Sequence, residues 1–237
     1  MALSLFAAAV LAAVASLAAH VALNCPIQPV PSPAPPRTPP PNNLLQRLEK
    51  LGEGALDAPE DVYVDAAAGG ALYTATRDGW LHRMHPNNGS WERWRFVGGT
   101  GLLGITPSAD GTMLVCDADK GLLRVGEDGV TLLASEVEGS TIRFADAAIE
   151  ASDGTVYFSD ASTRFGFDRW FHDFLESRAT GRLLDLFYGS LAVDLVGYNY
   201  LYNKYLLNGS DAQCRGRRHG GASRRWQRLP RSVGSVW

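Results

Sequence analysis

Two short motifs recur at nearly constant spacing, and this recurrence limits the folds that the chain can adopt. Asp110-Gly111-Thr112 returns 43 residues later as Asp153-Gly154-Thr155, and Gly79-Trp80-Leu81 is echoed 42 residues later by Gly121-Leu122-Leu123. The second series continues 60 residues further on, at Gly181-Arg182-Leu183. Asp-Gly-Thr alone is a common hairpin turn, but two series in register favour a repeat. A unit of about 40–45 residues with four short strands is typical of a β-propeller blade.

The predicted strands follow from alternating β-branched and aromatic residues between turn residues. Residues 56–94 are interpreted as a first blade, residues 101–134 as a second, and residues 146–184 as the start of a third. The first-blade strands are predicted at 62–64, 71–75, 80–84 and 91–96. The pattern therefore predicts an all-β fold with about three blades.

The third blade carries an insertion of 18 residues relative to the repeat. Trp170, Phe171, Phe174 and Leu175 lie at helical spacing within it, so the insertion is predicted to contain a short amphipathic helix.

These blades also resemble a known family. The similarity is carried by APEDVYVD from Ala58, TRDGWLHRM from Thr76, LVCDADKGLLRV from Leu114, and FADAAIEASDGTVYFSDAST from Phe144 with GRLL at Gly181. These segments resemble the strictosidine synthase-like family, which includes plant strictosidine synthase and the adipocyte plasma membrane-associated proteins. The resemblance covers residues 44–184 and implies a six-bladed β-propeller, distantly similar to paraoxonases and gluconolactonases.

The family pattern stops at Asp185, where the family would continue into three more blades. Residues 185–237 are predicted to be a divergent tail without regular structure, with seven Arg and one acidic residue among its last 27 positions. A chain truncated after about three blades is the corresponding expectation.

The first 23 residues contain no charged side chain and are mostly Ala, Leu and Val. They are long enough to span a bilayer, which needs about 20 residues, and they are interpreted as a signal peptide or a signal-anchor. Either interpretation directs the chain to the endomembrane lumen: the endoplasmic reticulum, the vacuole or the exterior. Residues 24–43 form a proline-rich linker, and residues 42–52 are predicted to be a short helix on the outside of the propeller.

Charge distribution and residue spacing argue against several other functions. The net charge is −3 and no basic face is evident before the tail, which argues against nucleic-acid binding. Cys116 lies in an apolar strand and is expected to be a buried small side chain. The five His show no metal-binding spacing, and His82 and His85 are expected at the surface.

The family resemblance implies a calcium ion on the propeller axis, where it polarises the substrate carbonyl in relatives that hydrolyse lactones or aryl esters. Matched by motif, Glu60 and Asp146 take two of the ligand positions. Both also have structural interpretations, Glu60 as a turn cap and Asp146 as a partner of the backbone. Phe165 and Trp170 are candidates for the mouth of a small-molecule substrate pocket, with packing inside the insertion as the alternative. No catalytic residue is assigned.

Three functions remain open. The first is a calcium-assisted hydrolase of the arylesterase or lactonase kind in the full-length form. The second is the Pictet–Spengler condensation of tryptamine with secologanin in alkaloid biosynthesis, although no residue matches the essential glutamate that strictosidine synthase itself carries in a late blade. The third is a truncated, non-catalytic product. Sequons at Asn88 and Asn208 predict glycosylation in a luminal protein, and an uncleaved segment 1–23 would give a membrane contact.

Overall fold

Three antiparallel sheets, each of four strands in chain order, form most of the structure. The structure is a computed structural model, and it describes residues 2–31, 40, 41, 43, 46, 48–187 and 189–198. The first sheet contains β1 (Val62–Asp65), β2 (Ala71–Ala75), β3 (Trp80–Met84) and β4 (Trp91–Phe96). The second contains β5 (Leu102–Pro107), β6 (Met113–Asp117), β7 (Gly121–Gly126) and β8 (Gly129–Ala134). A small hairpin, β9 (Glu136–Val137) with β10 (Ser140–Thr141), leads to the third. The third contains β11 (Ala145–Glu150), β12 (Val156–Asp160), β13 (Gly181–Phe187) and β14 (Ser190–Tyr198). The predicted all-β fold built from blades is confirmed.

The repeated motifs occupy equivalent places in these blades. Gly111 and Gly154 lie in the turns between the first two strands of blades 2 and 3, with φ of 85° and 83°. The N–H of Ser108 donates to the carbonyl of Thr112 across one turn at 2.8 Å, and the N–H of Ala151 donates to Thr155 across the other at 2.8 Å. The other glycine series marks the start of the third strand in every blade. Glycine is needed in the turns because other residues rarely adopt such a φ.

The hydrophobic core lies between successive blades. Strand β6 is buried along its whole length because it has a blade on each side. Its side chains alternate, so Met113 and Val115 pack with blade 1 while Leu114 and Cys116 pack with blade 3. Each large apolar side chain buried in this way contributes about 1.5–3 kcal/mol to folding. Two packed interfaces therefore hold three blades side by side.

The insertion of blade 3 folds as a short 3₁₀ turn, Phe167–Arg169, followed by helix α2, Trp170–Glu176. The predicted helix is confirmed, but its apolar residues point away from the blade. Glu176 is its buried residue, at 0% exposure.

The third sheet continues beyond the predicted boundary at residue 184. Strand β13 extends to Phe187, and β14 pairs with it along its length, so part of the predicted tail is a blade strand. Gly189, with φ of 78°, lies in the tight connection between them, where no Asp-Gly motif signals a turn. The rest of the predicted tail lies outside the described residues.

The segments before blade 1 differ from each other. Helix α1, Ala2–Asn24, is exposed throughout its apolar stretch, and Ser4–Asn24 is long and apolar enough to cross a membrane. The helix predicted for residues 42–52 is wrong where it is described, because residues 48–52 have no helical structure. Gly52, with φ of 80°, and Gly54, with φ of 77°, favour turns there instead.

Candidate functional site at the axial end

The first strands of blades 2 and 3, β5 and β11, contact the first two strands of the preceding blade. These contacts bring Asp61 beside Ile105 and Gly104 beside Asp146 at one end of the blades. This end is called the axial end below. The N–H of Ile105 in β5 donates to Oδ2 of Asp61, just before β1, at 3.2 Å. On the other side, a Cβ added to Gly104 would lie 2.9 Å from Cα of Ala147 in β11. Glycine at this position therefore permits the close approach of blades 2 and 3.

Asp146 and Glu60, the two predicted metal ligands, are both at the axial end. Asp146 is buried and lies in a β-bulge of β11, where one extra residue interrupts the pairing with β12. Glu60 precedes β1 and is half-buried. In blade 2 the position equivalent to Asp146 holds Leu103, which is buried in the matching bulge of β5. Blade 2 therefore adds no carboxylate there.

Arg77 brings a positive charge to these carboxylates. Burial lowers its pKa, and the charges of Glu60, Asp146, Asp119 and Asp57 act in the opposite direction. Its guanidinium donates to the carbonyl of Thr100 at 3.2 Å and lies 4.0 Å from the ring centroid of Phe167. This side chain thus connects blade 1, the start of blade 2 and the insertion of blade 3.

Two further buried carboxylates are committed to structural pairs. Asp117 accepts backbone N–H bonds from Asp119 at 2.9 Å and Lys120 at 3.1 Å, and Nζ of Lys120 lies 3.0 Å from its Oδ2. Asp160 accepts from Nε and Nη2 of Arg182 at 3.0 and 2.5 Å. Both carboxylates are thus engaged in contacts that hold strands and turns within their own blades.

The donor set at the axial end fits calcium in kind but not in number. Carboxylate oxygens are the ligands that a hard cation prefers, and such an ion takes six to eight of them. Within the described part of the chain, no group of three or more His, Cys, Asp or Glu is placed to hold a metal ion. Glu60 and Asp146 alone therefore do not complete a calcium site.

The two predicted pocket residues do not come together. Phe165 is buried in the insertion, 5.8 Å from the ring of His172, whereas Trp170 is exposed on α2. Their pocket role stays a prediction. Phe167 does lie at the axial end, where it also contacts Phe144 edge-on with ring centroids 5.5 Å apart.

Arg77 and Phe167 were missed by the sequence analysis. No spacing rule connects them, because the contact depends on how the insertion folds back over blade 1. The only available signal was that both lie in or next to segments that resemble the family.

The cysteine and the two histidines considered in the sequence lie within or beside the strands of blades 1 and 2. Cys116 is buried, as expected, and burial raises the pKa of its thiol well above the usual value, with the carboxylate of Asp146 adding to the effect. The surface position predicted for His82 is wrong, because it lies buried on β3 with its ring 3.7 Å from Asp78. His85 is partly exposed and lies 3.3 Å from Glu92.

The run Gly99–Gly104 matches the spacing G-x-G-x-x-G, which in dinucleotide-binding folds joins a strand to a helix. Here it leads into β5 of an antiparallel sheet. A Cβ added to Gly101 would lie 2.6 Å from Oδ1 of Asp117, so these glycines permit close packing and give no phosphate site.

Asn88 is exposed in the turn between β3 and β4, as predicted for a sequon. Its Oδ1 accepts from the N–H and the hydroxyl of Ser90 at 3.0 and 2.8 Å, which closes the turn. Asn208 lies outside the described residues.

Comparison with known proteins agrees with these blades. The family model described as "Strictosidine synthase-like, N-terminal" matches residues 40–84, and the model described as "Strictosidine synthase" matches residues 146–190. These two parts of the chain are similar to the strictosidine synthase-like family. The first match covers the segment before blade 1 and strands β1, β2 and β3, and the second covers blade 3 as far as the start of β14. Both predicted ligand positions lie within these matches.

The strictosidine synthase-like region has relatives in plants and animals. Strictosidine synthase-like protein 4 of Arabidopsis thaliana is 35% identical over 149 residues, which are 60% of this chain and 40% of the relative. The adipocyte plasma membrane-associated protein of Bos taurus is 32% identical over 194 residues, 71% of this chain and 45% of the relative. The chain therefore spans less than half the length of these relatives. Among solved structures, a gluconolactonase from Xanthomonas campestris is 17% identical with a TM-score of 0.48. The match covers 60% of this chain and 48% of the gluconolactonase chain.

Proposed function

We propose that the axial end is part of the substrate site of a hydrolase of the arylesterase or lactonase kind, assisted by calcium, in the endomembrane system. One observation carries this proposal: the guanidinium of Arg77 lies against the ring of Phe167 and interacts with the charges of Glu60 and Asp146. Such a combination suits a small molecule with an apolar group beside a carbonyl.

The side chains at this end have distinct parts in the proposal. Glu60 and Asp146 would be two of the oxygen ligands of the ion. The guanidinium of Arg77 keeps donors that can orient a substrate oxygen. The ring of Phe167 offers an apolar surface for an aryl or acyl group.

The proposed compartment follows from α1 and from the family. The helix has the length and composition of a signal or an anchor, and one curated relative is named as membrane-associated. In the lumen, the exposed sequon at Asn88 would be glycosylated. Expression in a secretory host, with and without glycosidase, should show a mass shift that is reduced in Asn88→Gln.

The experiment that tests the activity uses the full chain, purified from a secretory host in detergent, with calcium added or chelated. Weak binding with a dissociation constant of about 10⁻⁴–10⁻³ M is expected for a partial ligand set. At a hundredfold excess over that constant, the ion would stabilise the fold by about 2.7 kcal/mol. Phenyl acetate and a simple lactone are the activity probes.

Glu60→Gln and Asp146→Asn should each abolish the calcium-dependent rise in melting temperature, whereas Asp128→Asn in the exposed turn between β7 and β8 should leave it intact. A melting temperature that does not change with calcium, together with no hydrolysis of either probe, would reject the proposal. Consumption of tryptamine and secologanin instead would favour the condensation reaction. A chain that melts cooperatively and turns over none of these substrates would be a non-catalytic family member.

A further inference from the structure

Helix α2 presents an apolar face to solvent. Trp170, Phe171, Phe174 and Leu175 are 51%, 52%, 46% and 44% exposed. The rings of Trp170 and Phe171 are 5.5 Å apart, and those of Phe171 and Phe174 are 6.1 Å apart, so the exposed surface is continuous. Large adjoining apolar side chains of this kind mark an interaction surface. These four residues are called the α2 face.

The orientation of this helix is fixed from its other side. Glu176 is buried and accepts from Nη2 of Arg164 at 3.1 Å, with Nε of Arg164 2.8 Å from its other oxygen. Ser162 donates to Asp173 at 2.6 Å one turn earlier. Because the polar residues are held inward, the α2 face is turned outward by the structure itself.

The same buried carboxylate holds the chain that leaves α1. The N–H of Gln28 donates to Oε1 of Glu176 at 2.8 Å, and the N–H of Val30 donates to the carbonyl of Glu176 at 3.1 Å. Arg178 donates to the carbonyl of Gln28 at 3.0 Å. The segment after α1 is therefore attached to the C-terminal end of α2.

This attachment limits how far α2 can lie from α1. Helix α1 ends at Asn24, and four residue steps to Gln28 reach at most about 14 Å. If α1 crosses a bilayer, the end of α2 lies within that distance of the end of the span. An amphipathic face in that position reaches the headgroup boundary, where such faces are buried by about 5–10 Å.

We infer that the α2 face inserts into the interface of the membrane that α1 enters. Tryptophan and phenylalanine are suited to this depth, and tryptophan is enriched there in membrane proteins. Three partly exposed arginines, Arg164, Arg169 and Arg178, flank the helix and can meet lipid phosphates at an anionic surface. The inference rests on the proposed anchoring by α1. Phe167 belongs to the turn that leads into α2, so the axial end would open beside the lipid surface.

The test places a nitroxide label on the α2 face of the full chain in liposomes of phosphatidylcholine and phosphatidylserine. Cys25 and Cys214 are replaced by Ser, and Cys116 stays because it is buried. Phe174→Cys carries the label, and Leu132→Cys on β8, 54% exposed, is the matched control. Collision of the nitroxide with oxygen and with a water-soluble nickel chelate is then measured. Both variants are first checked for an unchanged melting temperature.

At position 174 the ratio of oxygen to nickel collisions should be several times that at position 132. Equal, water-like ratios at both positions would overturn the inference. Spin–spin broadening at 174 that grows with protein concentration would also overturn it, in favour of a second copy covering the face. Release of the protein from the liposomes by alkaline carbonate would show that α1 does not anchor it, and this result would also overturn the inference. None of these outcomes depends on calcium or hydrolysis, so failure here is distinguishable from failure of the proposed activity.

Discussion

The guanidinium carbon of Arg77 lies 4.0 Å from the ring centroid of Phe167, which joins the first blade to the insertion of the third. A cation over an aromatic face at this distance is attracted by the ring quadrupole, with about 0.5–1 kcal/mol at exposed sites and about 2 kcal/mol when desolvated. Arg77 is half-buried, so an intermediate value is expected.

A double-mutant cycle with Arg77→Ala and Phe167→Ala should measure this coupling by chemical denaturation. We expect about 1 kcal/mol of interaction free energy. The matched pair is Arg93 and Trp80, which are 5.4 Å apart with Arg93 largely exposed. Its coupling should be smaller, and equal couplings in the two cycles would contradict the role given to Phe167.

Removal of the Glu176 carboxylate should free the segment after α1. Glu176→Ala leaves the N–H of Gln28 without its acceptor, and two arginines lose their charged partner. We expect the free energy of unfolding to fall by about 1–3 kcal/mol, the cost of leaving buried partners unsatisfied. Proteinase K should then cleave within residues 25–31 faster than in the unchanged protein.

Glu53→Ala is the control for that variant, because Glu53 forms an exposed pair with Lys50. It should change neither the cleavage pattern nor the stability by more than about 0.5 kcal/mol. Equal cleavage of Glu176→Ala and the unchanged protein would mean that the segment is not held at α2.

The ion pair between Arg182 and Asp160 should be worth more than any exposed pair. Both side chains are buried, and Arg182 also donates to the carbonyl of Thr141 at 3.0 Å. Arg182→Met leaves a buried carboxylate alone, so a loss of about 3–5 kcal/mol is expected. Arg124→Met, which removes a partly exposed partner of Asp110, should cost less than about 1 kcal/mol.

The loss in Arg182→Met should depend on pH. Burial raises the pKa of Asp160 even in the unchanged protein, while Arg182 opposes this shift. Without Arg182 the pKa of Asp160 in the folded protein rises further above the ordinary Asp pKa. The stability that the protonated Asp160 carboxyl contributes is therefore fully present below the ordinary Asp pKa, and it is lost as the pH rises through the folded-state pKa. The destabilisation should thus be largest at neutral pH and smallest near pH 4 (about the ordinary Asp pKa), as measured by urea unfolding at several pH values.

Asp110 gives the opposite sign. The hydroxyl and N–H of Thr112 donate to its carboxylate at 2.6 and 2.9 Å and lower its pKa. Its stabilisation is present above the ordinary Asp pKa and is lost as the pH falls through the lowered value. Asp110→Asn should cost only a few tenths of a kcal/mol at pH 7 because the group is exposed to solvent screening, and the difference should vanish in acid. A difference that is constant with pH would contradict the charge-dependent origin.

The strands of blade 1 were predictable because local signals agree there. Asp78-Gly79 marks the turn before Trp80, and alternating residues define the strands on either side. Strand β14 was not predictable in this way, since its turn uses Gly189 without an Asp partner. Helix α2 was found from the spacing of Trp170 and Phe174. Its orientation was not, because Glu176 is held inward by groups outside the helix, one of which is the N–H of the distant Gln28.

The candidate site was predictable only in part. Glu60 and Asp146 were assigned from the family resemblance, and the structure places both at the axial end. Arg77 and Phe167 became visible only in three dimensions, because no sequence period connects a hairpin turn in blade 1 to an insertion in blade 3. Leu103 explains why the second blade does not add a third carboxylate.

The approach of Gly104 to the bulge that contains Asp146 has a geometric consequence. Two backbones meet there with no side chain between them, at the narrow side of the wedge formed by blades 2 and 3. A methyl group at that point would push the first strands of blades 2 and 3 apart, and the outer strands of the two blades would move further than the first strands. The absence of one carbon atom at residue 104 therefore permits blade 3 to lie directly against blade 2.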